Sequence, residues 1–204
     1  MPPTIPLLNL PFLAELTTQR RDIHAHPELA FNENRTADMV ARWQAAGFCH
    51  GVMNTDNMSI CGETIDYGPC AFMNSYDPAT VFSSIDTQGR YAFGNQAKIA
   101  HWNLYRFAEA LLALIHEDQE QAIAAVTEPL EKFPTIFLEY WLAGMRNKLG
   151  LFSQEADDLK LVEDLLMYMQ KNNAYYTNTF RSKGNDANRQ KPIYQHSGYR
   201  RWLE

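Results

Sequence analysis

The stretch from Asn95 to Gln170 constrains the fold most, because its apolar residues recur at helical spacing with few interruptions. A broad apolar stripe between Ile99 and Ile115 predicts a central buried helix. Pro134 and Gly150 are typical helix breakers, so further helices are expected at 117–132, 136–149 and 154–170. The expected core includes Trp102, Leu111, Phe137, Leu142 and Leu165. The pattern therefore predicts an all-α bundle without a β-sheet in this span.

Residues 47–73 depart from the helical pattern and read GFCHGVMNTDNMSICGETIDYGPCAFM. Two short runs, Asn57–Cys61 and Glu63–Tyr67, flank Gly62, which is typical of a tight β-hairpin. The two ends of an antiparallel hairpin lie at the same edge. Together with an expected helix over Asn34–Ala46, this segment predicts a mainly α fold with one small β-hairpin.

The expected hairpin would bring Asp56 and Asn57 at its entry close to Asp66 at its exit. Carboxylate and amide oxygens are the ligands that Mg²⁺ prefers, often together with substrate phosphates. The set therefore predicts a magnesium site for nucleotide chemistry. Taken alone, an Asp-Asn pair before a strand is more often a turn, in which both side chains bond to their own backbone.

The same segment partly follows the protein-kinase pattern H-R-D-x-x-x-x-N followed by D-F-G, in which an Asn and an Asp hold the metals. The number of residues from His50 to Asn57 fits this pattern, and Asp66-Tyr67-Gly68 stands in place of D-F-G. Val52 occupies the usual position of the catalytic base, which departs from the pattern. An aspartate does occur at Asp56, beside the expected metal ligand.

The run HGVMNTDNMSICGETIDYGP, with the later YDP and GRYAFGNQ, resembles the selenoprotein O (SelO, YdiU) family of kinase-fold protein adenylyltransferases. The resemblance extends from about Thr36 to at least Phe180 and implies a protein-kinase-like C-lobe. It implies transfer of AMP from ATP to Ser, Thr or Tyr hydroxyls of proteins. In these terms Asp56 matches the catalytic base, Asn57 and Asp66 match Mg²⁺ ligands, and Asp66 also lies near the nucleotide.

The N-terminal stretch Arg20–Ala37, reading RRDIHAHPELAFNENRTA, is similar to hippurate-hydrolase-type amidohydrolases, a zinc metallopeptidase class. His24 and His26 invite a zinc interpretation, but residues two apart lie on different sides of a helix and cannot chelate one ion together. We therefore expect three regions: an amidohydrolase-like segment at 1–35, a kinase-like C-lobe fragment at 36–181 and a loose tail at 182–204.

Composition excludes several classes of protein. The 204 residues carry a net charge of -6 and no basic run, so nucleic acid is not an expected partner. Three cysteines without C-x-x-C spacing indicate reduced thiols and not a disulfide framework. No apolar stretch reaches the roughly 20 residues that span a bilayer, and no basic region opens the chain. We predict a cytoplasmic protein without membrane contact.

No glycine-rich loop or Lys–Glu pair precedes Asp56, although kinase-fold catalysis uses both. The expected fold is thus a C-lobe lacking its N-lobe, with impaired catalysis. Three functions compete. The leading one is an ATP- and Mg²⁺-dependent protein adenylyltransferase. The second is a non-catalytic helical remnant or interaction module whose exposed apolar surface needs a partner. The third is a zinc amidohydrolase fragment.

Overall fold

The computed structural model describes residues 34–181, which form five α-helices and two short β-strands. The helices are α1 (Asn34–Ala46), α2 (Gln96–Ile115), α3 (Gln119–Leu149), α4 (Asp158–Lys171) and α5 (Tyr176–Arg181). The strands are β1 (Phe48–Cys49) and β2 (Ala71–Phe72), and short 3-10 helices occupy Thr55–Asn57 and Phe93–Asn95. The described part is therefore mainly helical with a small antiparallel sheet, as predicted.

The sheet is not the hairpin that the sequence predicted. β1 pairs with β2 in antiparallel register, Phe48 opposite Phe72, and residues 58–70 between them contain no strand. Gly62 does lie in a turn with φ 76, but a Cβ there would come within 2.9 Å of Arg35 Cβ. The predicted pairing is wrong because this loop packs against α1 instead of folding back on itself.

Helix α3 is continuous, so the predicted break at Pro134 is also wrong. Proline offers no N–H to the carbonyl four residues earlier, which for Pro134 is that of Leu130. His101 Nε2, on α2, lies 2.7 Å from this oxygen, and its ring stacks on Phe133 with centroids 5.3 Å apart. The neighbouring helix therefore supplies the hydrogen bond that proline removes.

The predicted helix end at Gly150 is confirmed. Gly150 adopts a left-handed conformation with φ 69, and its N–H bonds to the carbonyls of Arg146 and Asn147. Such a glycine satisfies carbonyls that the helix itself leaves free. The helices predicted at Asn34–Ala46 and near Tyr175–Arg181 are confirmed as α1 and α5, and no strand occurs between residues 95 and 170.

The core consists of two apolar clusters. The first joins α1, α2 and the first half of α3, and the second joins the end of α3 to α4 and α5. Of the predicted core, Leu165 is fully buried, while Leu111, Phe137 and Leu142 are partly buried. The prediction that Trp102 belongs to the core is wrong. Trp102 is 41% exposed, and the Arg90 guanidinium lies 4.5 Å from the centroid of its ring.

Tyr176, the first residue of α5, connects both ends of the described chain. Its hydroxyl donates to Gln44 O at 2.7 Å, and its ring is 2% exposed. Gly47 faces that ring so closely that a Cβ would come within 2.7 Å of Tyr176 Cδ1. Lys148 Nζ lies 4.6 Å from the same ring and donates to Ala45 O. Helix α5 therefore closes on the end of α1.

The three cysteines are free thiols. Cys49 is buried, and desolvation raises its pKa to about 11. Among residues 34–181, no helix is both long and apolar enough to cross a membrane. The predicted His24/His26 pair, the helix expected before Pro27 and the tail at 182–204 lie outside the described residues, so the predicted region boundaries stay predictions.

Candidate nucleotide and metal site

A buried amide of α2 sets the direction in which the chain leaves β1. The side chain of Gln96 is fully buried; its Oε1 accepts from His50 N at 2.9 Å, and its Nε2 donates to Phe48 O at 2.9 Å. This is the pairing that a neighbouring strand would offer. The Gln96 side chain thus pairs with the free backbone groups at the edge of β1. The loop that carries Asp56 therefore begins from a defined position.

A second amide of α2 holds the middle of that loop. Asn103 Nδ2 donates to Met53 O at 3.0 Å. Farther along the loop, the hydroxyl of Tyr91 donates to Asn54 Oδ1. The bond from Asn103 is buried, and a buried polar anchor reduces the number of conformations open to an irregular segment.

Asp56 and Asn57 share the 3-10 helix Thr55–Asn57. Asp56 is exposed, so its carboxylate can reach a group brought from outside. Asn57 Nδ2 donates to Val52 O at 3.0 Å. Because the amide nitrogen is engaged, the atom that Asn57 presents to a ligand is Oδ1. An amide oxygen beside a carboxylate is a donor set that suits Mg²⁺.

Asp66 lies on a separate turn, where it is exposed and has φ 52. Aspartate is one of the few residues other than glycine that tolerate this left-handed region. Its carbonyl accepts from Gly68 N at 2.8 Å, which closes the turn. The carboxylate therefore stands on a turn whose backbone conformation itself restricts the choice of residue.

His50 links the turn of Asp66 to the loop of Asp56. Its ring is fully buried, and Nε2 lies 2.8 Å from the carbonyl oxygen of Ile65, directly before Asp66. His50 follows β1, and its ring centroid lies 5.3 Å from that of Trp43 in α1. Trp43 Nε1 donates to Thr64 Oγ1 at 2.8 Å. One side chain from α1 and one that follows β1 thus hold the residues that precede Asp66.

Of the three predicted site residues, two lie side by side and the third lies on a separate turn. Asp56 and Asn57 are neighbours, whereas in residues 34–181 no hydrogen bond joins either of them to Asp66. That span also holds no group of three His, Cys, Asp or Glu side chains that could bind a metal ion. The predicted set has only two carboxylates and an amide, so it would leave most coordination positions to ligand oxygens and water.

Sequence reasoning missed Gln96 and Asn103, the two residues that shape the loop. Both lie on the apolar face of α2, seven residues apart, with Ile99 and Ala100 between them. A polar amide on the buried face of a helix must find a hydrogen-bond partner. The position of these amides in the apolar stripe was therefore a usable signal.

Aromatic side chains border the turn of Asp66. The rings of Phe72 and Tyr67 lie 5.4 and 6.5 Å from that of Phe48. Phe48 is buried, but Tyr67 and Phe72 are 67% and 65% exposed. The small sheet thus presents an apolar, aromatic face to solvent beside the proposed nucleotide residue.

A family model described as protein adenylyltransferase SelO matches residues 19–197. The chain belongs to this family. It is 55% identical over 181 residues to a protein of Alkaliphilus metalliredigens, covering 83% of this chain and 36% of the relative. It is 62% identical over 148 residues to a protein of Anoxybacillus flavithermus, covering 72% of this chain and 31% of the relative. Both relatives are named protein nucleotidyltransferase YdiU.

A third relative of the same name, from Bacillus cytotoxicus, is 50% identical over 201 residues, covering 95% of this chain and 41% of the relative. The chain thus spans between about a third and two fifths of the length of these curated relatives. The family match begins before Arg20, so it includes the stretch Arg20–Ala37, for which a likeness to amidohydrolases was expected from the sequence alone.

Proposed function

We propose that this chain contributes the base and metal ligands of a protein adenylyltransferase, which transfers AMP from ATP to Ser, Thr or Tyr hydroxyls of proteins. The observation that carries the proposal is the hydrogen bond from Asn57 Nδ2 to Val52 O, which leaves the Asn57 side-chain oxygen as the atom available to a ligand beside Asp56. His50, through Ile65 O, connects Asp66 to the same loop. Membership in the SelO family supports this assignment.

In the proposed reaction Asp56 accepts the proton of the attacking hydroxyl. The hydroxyl oxygen forms a bond to the α-phosphorus of ATP, the bond from that phosphorus to the bridging oxygen breaks, and pyrophosphate leaves. Asn57 Oδ1 and the Asp66 carboxylate would hold Mg²⁺, which when bound neutralises phosphate charge. The exposure of Asp56 suits a protein hydroxyl as the attacking group.

Magnesium-dependent ATP binding to the full chain tests the site. Asp66→Asn removes the charge but keeps a side chain that tolerates φ 52, whereas Asp66→Ala also adds backbone strain. We expect Asp66→Asn to weaken Mg²⁺-ATP binding at least about tenfold, as the loss of a charged ligand interaction implies. Asp77→Asn, an exposed aspartate in another loop, is the control. Equal binding by the original chain, Asp66→Asn and Asp77→Asn would refute the metal assignment.

AMP transfer by a polypeptide of these 204 residues is a separate question. We propose that it is impaired, because Asp56, Asn57 and Asp66 supply base and metal ligands but no residue before them supplies a glycine-rich cover or a Lys–Glu pair. Incubation with α-phosphate-labelled ATP should give no measurable protein labelling. Labelling that disappears in Asp66→Asn would show competence at the proposed site, and labelling that persists there would place the metal elsewhere.

A second candidate function is a non-catalytic interaction module. The exposed aromatic side chains Tyr67 and Phe72, with the 38% exposed Ile65, form an apolar surface that a partner protein segment could cover. The double variant Tyr67→Ser/Phe72→Ser tests whether this surface drives association, by sedimentation in mixtures with cell extract. A cytoplasmic location, the kinase-like C-lobe and the amidohydrolase origin of Arg20–Ala37 stay predictions.

A further inference from the structure

An exposed tryptophan of α2 is flanked by two arginines that come from different parts of the chain. Trp102 is 41% exposed. The Arg90 guanidinium lies 4.5 Å from the centroid of its ring, and the Arg106 guanidinium lies 5.3 Å from it. A guanidinium that packs on an aromatic ring keeps N–H donors for a further partner. We call these three residues the Arg–Trp surface.

The backbone of Arg90 is held in place without use of its charge. Asp86 Oδ1 accepts from Arg90 N, and Asp86 Oδ2 accepts from Tyr91 N, both at 2.8 Å. Asn95 Nδ2, at the start of α2, donates to Gly89 O at 2.8 Å. Within the described part of the chain, no carboxylate forms an ion pair with the Arg90 guanidinium. Its charge is therefore available to a partner.

The cations of α2 add to this positive charge. Lys98 lies four residues before Trp102 and Arg106 four residues after it, so all three share one face of the helix. Arg106 Nη2 donates to Glu109 Oε1, but both side chains are about half exposed, and such pairs are weak. A guanidinium carries five N–H donors, so Arg106 can bind a second carboxylate while it keeps Glu109.

The Arg–Trp surface borders the loop of the proposed base. Tyr91, which follows the first arginine of the surface, donates its hydroxyl to Asn54 Oδ1. Arg106 and Thr55 line the same cavity. Asn54 and Thr55 directly precede Asp56, and Cα atoms two residues apart are at most about 7 Å from each other. An extended segment bound to the surface can therefore continue to Asp56.

We propose that the Arg–Trp surface binds an acidic segment of the protein whose hydroxyl receives AMP. This inference rests on the proposed adenylyltransferase function and names the class of its protein substrate. Arginine binds carboxylates through paired N–H donors, and the Trp102 ring packs on the aliphatic parts of the segment. An extended segment advances about 3.3 Å per residue, so the acidic residues lie about three to six positions from the hydroxyl.

Peptide binding to the full chain tests the proposal without ATP or Mg²⁺, so the result does not depend on the metal assignment or on AMP transfer. The probe is a fluorescein-labelled peptide with one serine and with glutamates about four residues to either side, the spacing that an extended segment requires. Anisotropy is measured at low ionic strength, where screening is weakest. A peptide with glutamines in place of the glutamates should bind at least about fivefold more weakly. Equal affinity, or no saturable binding, would overturn the proposal.

Matched charge variants locate the binding. Arg90→Gln/Arg106→Gln removes two cations from the surface, whereas Lys132→Gln/Lys160→Gln removes two exposed cations from α3 and α4. The first double variant should bind the glutamate peptide at least about fivefold more weakly, and the second should bind it like the original chain. Equal weakening in both would show that net charge alone attracts the peptide, which would contradict the proposal.

A photoreactive peptide tests whether the surface serves the acceptor hydroxyl. Benzoylphenylalanine replaces the serine of the glutamate peptide, and mass spectrometry identifies the residues of the chain that become cross-linked. We expect cross-links within residues 52–58, around Asp56, that are lost in Arg90→Gln/Arg106→Gln. Cross-links confined to other segments would show that a bound acidic segment does not bring its hydroxyl to Asp56, and would overturn the proposal.

A single-stranded nucleic acid is the competing occupant, because phosphates bind guanidinium groups and bases stack on tryptophan. The net charge of -6 disfavours it. An oligodeoxythymidylate with the same formal charge as the glutamate peptide should therefore bind more weakly than the peptide. Tighter binding of the oligonucleotide that is lost in Arg90→Gln/Arg106→Gln would assign the surface to nucleic acid and overturn the proposal.

Discussion

The loop between His50 and Gly68 and the helix α3 are held by different kinds of interaction. Helix α3 is stabilised by its own backbone hydrogen bonds and by an apolar face, and it even passes through Pro129 and Pro134. The loop has almost no regular backbone pairing and depends on polar side chains that come from 21 to 50 residues away. Local sequence therefore encodes most of the helix, with one hydrogen bond from His101 of α2 at Pro134, whereas the shape of the loop depends on residues elsewhere in the chain.

The largest expected effect comes from removing the amide that holds the start of the loop. Gln96→Met keeps the side-chain length but leaves Phe48 O and His50 N without their partners. We expect a loss of about 3 kcal/mol in the free energy of unfolding, since each buried group left unpaired costs roughly 1–3 kcal/mol. Urea denaturation measures it, with the exposed Lys98→Met on the same helix turn as the control. Similar losses in both variants would contradict the anchoring role.

Lys148 gives α3 a polar contact of the kind that the loop uses, and it makes stability depend on pH. Burial lowers its pKa to about 8. The unfolded chain then binds more protons than the folded chain between about pH 8 and 10.5, so this residue makes stability rise with pH across that window. Allowing for its partial exposure, we expect a gain of about 1–2 kcal/mol relative to Lys148→Met.

Thermal unfolding of both proteins at several pH values measures this difference. The comparison with Lys148→Met cancels opposing contributions, since burial raises the pKa of Cys49 and of Tyr76 and so lowers stability in alkali. Lys132→Met, at an exposed position of α3, is the control. The same pH slope in the Lys148 and Lys132 variants would refute the assignment.

A double-mutant cycle tests why α3 survives Pro134. His101→Phe keeps the ring on Phe133 but leaves Leu130 O without a donor. In the Pro134→Ala background, the alanine N–H can bond to that carbonyl, so His101→Phe should cost less. We expect a coupling energy of about 1 kcal/mol. Strict additivity of the two changes would show that the histidine does not compensate for the proline.

The smallest effect is expected for the contact between Trp43 and the outer part of the loop. Thr64→Val removes the acceptor of the Trp43 Nε1 hydrogen bond and keeps the side-chain shape. We expect a loss of about 0.5–1 kcal/mol, with faster amide exchange in residues 58–68. Thr87→Val, at an exposed loop position, should change neither quantity.

The sequence predicted the helices well because apolar spacing and terminal signals are local. The bounds of Asn34–Ala46 and the end of α3 at Gly150 followed from such signals. The break at Pro134 was wrong because the compensating donor, His101, belongs to another helix. Trp102 was misplaced because periodicity cannot show that Arg90 covers it from outside the helix.

The sequence predicted a set of site residues but not the shape of the segment that carries them. Short motifs indicated Asp56, Asn57 and Asp66, and their roles remain predictions. The hairpin expected to unite them was wrong, because Trp43 and His50 draw the turn of Asp66 toward α1 and β1. Short local patterns of apolar and polar residues cannot predict hydrogen bonds between residues that are far apart in the sequence.

The contact of Tyr176 with Gln44 has a consequence for biosynthesis. The two residues are 132 positions apart, so α1 cannot complete its packing until α5 has been made. At roughly 5–20 residues per second, translation needs on the order of 10 seconds to cover that distance. During this interval the place beside Gly47 that the Tyr176 ring will occupy stays empty. A nascent chain halted before Tyr176 should therefore be cut faster by protease near residues 44–49 than a chain halted beyond Arg181.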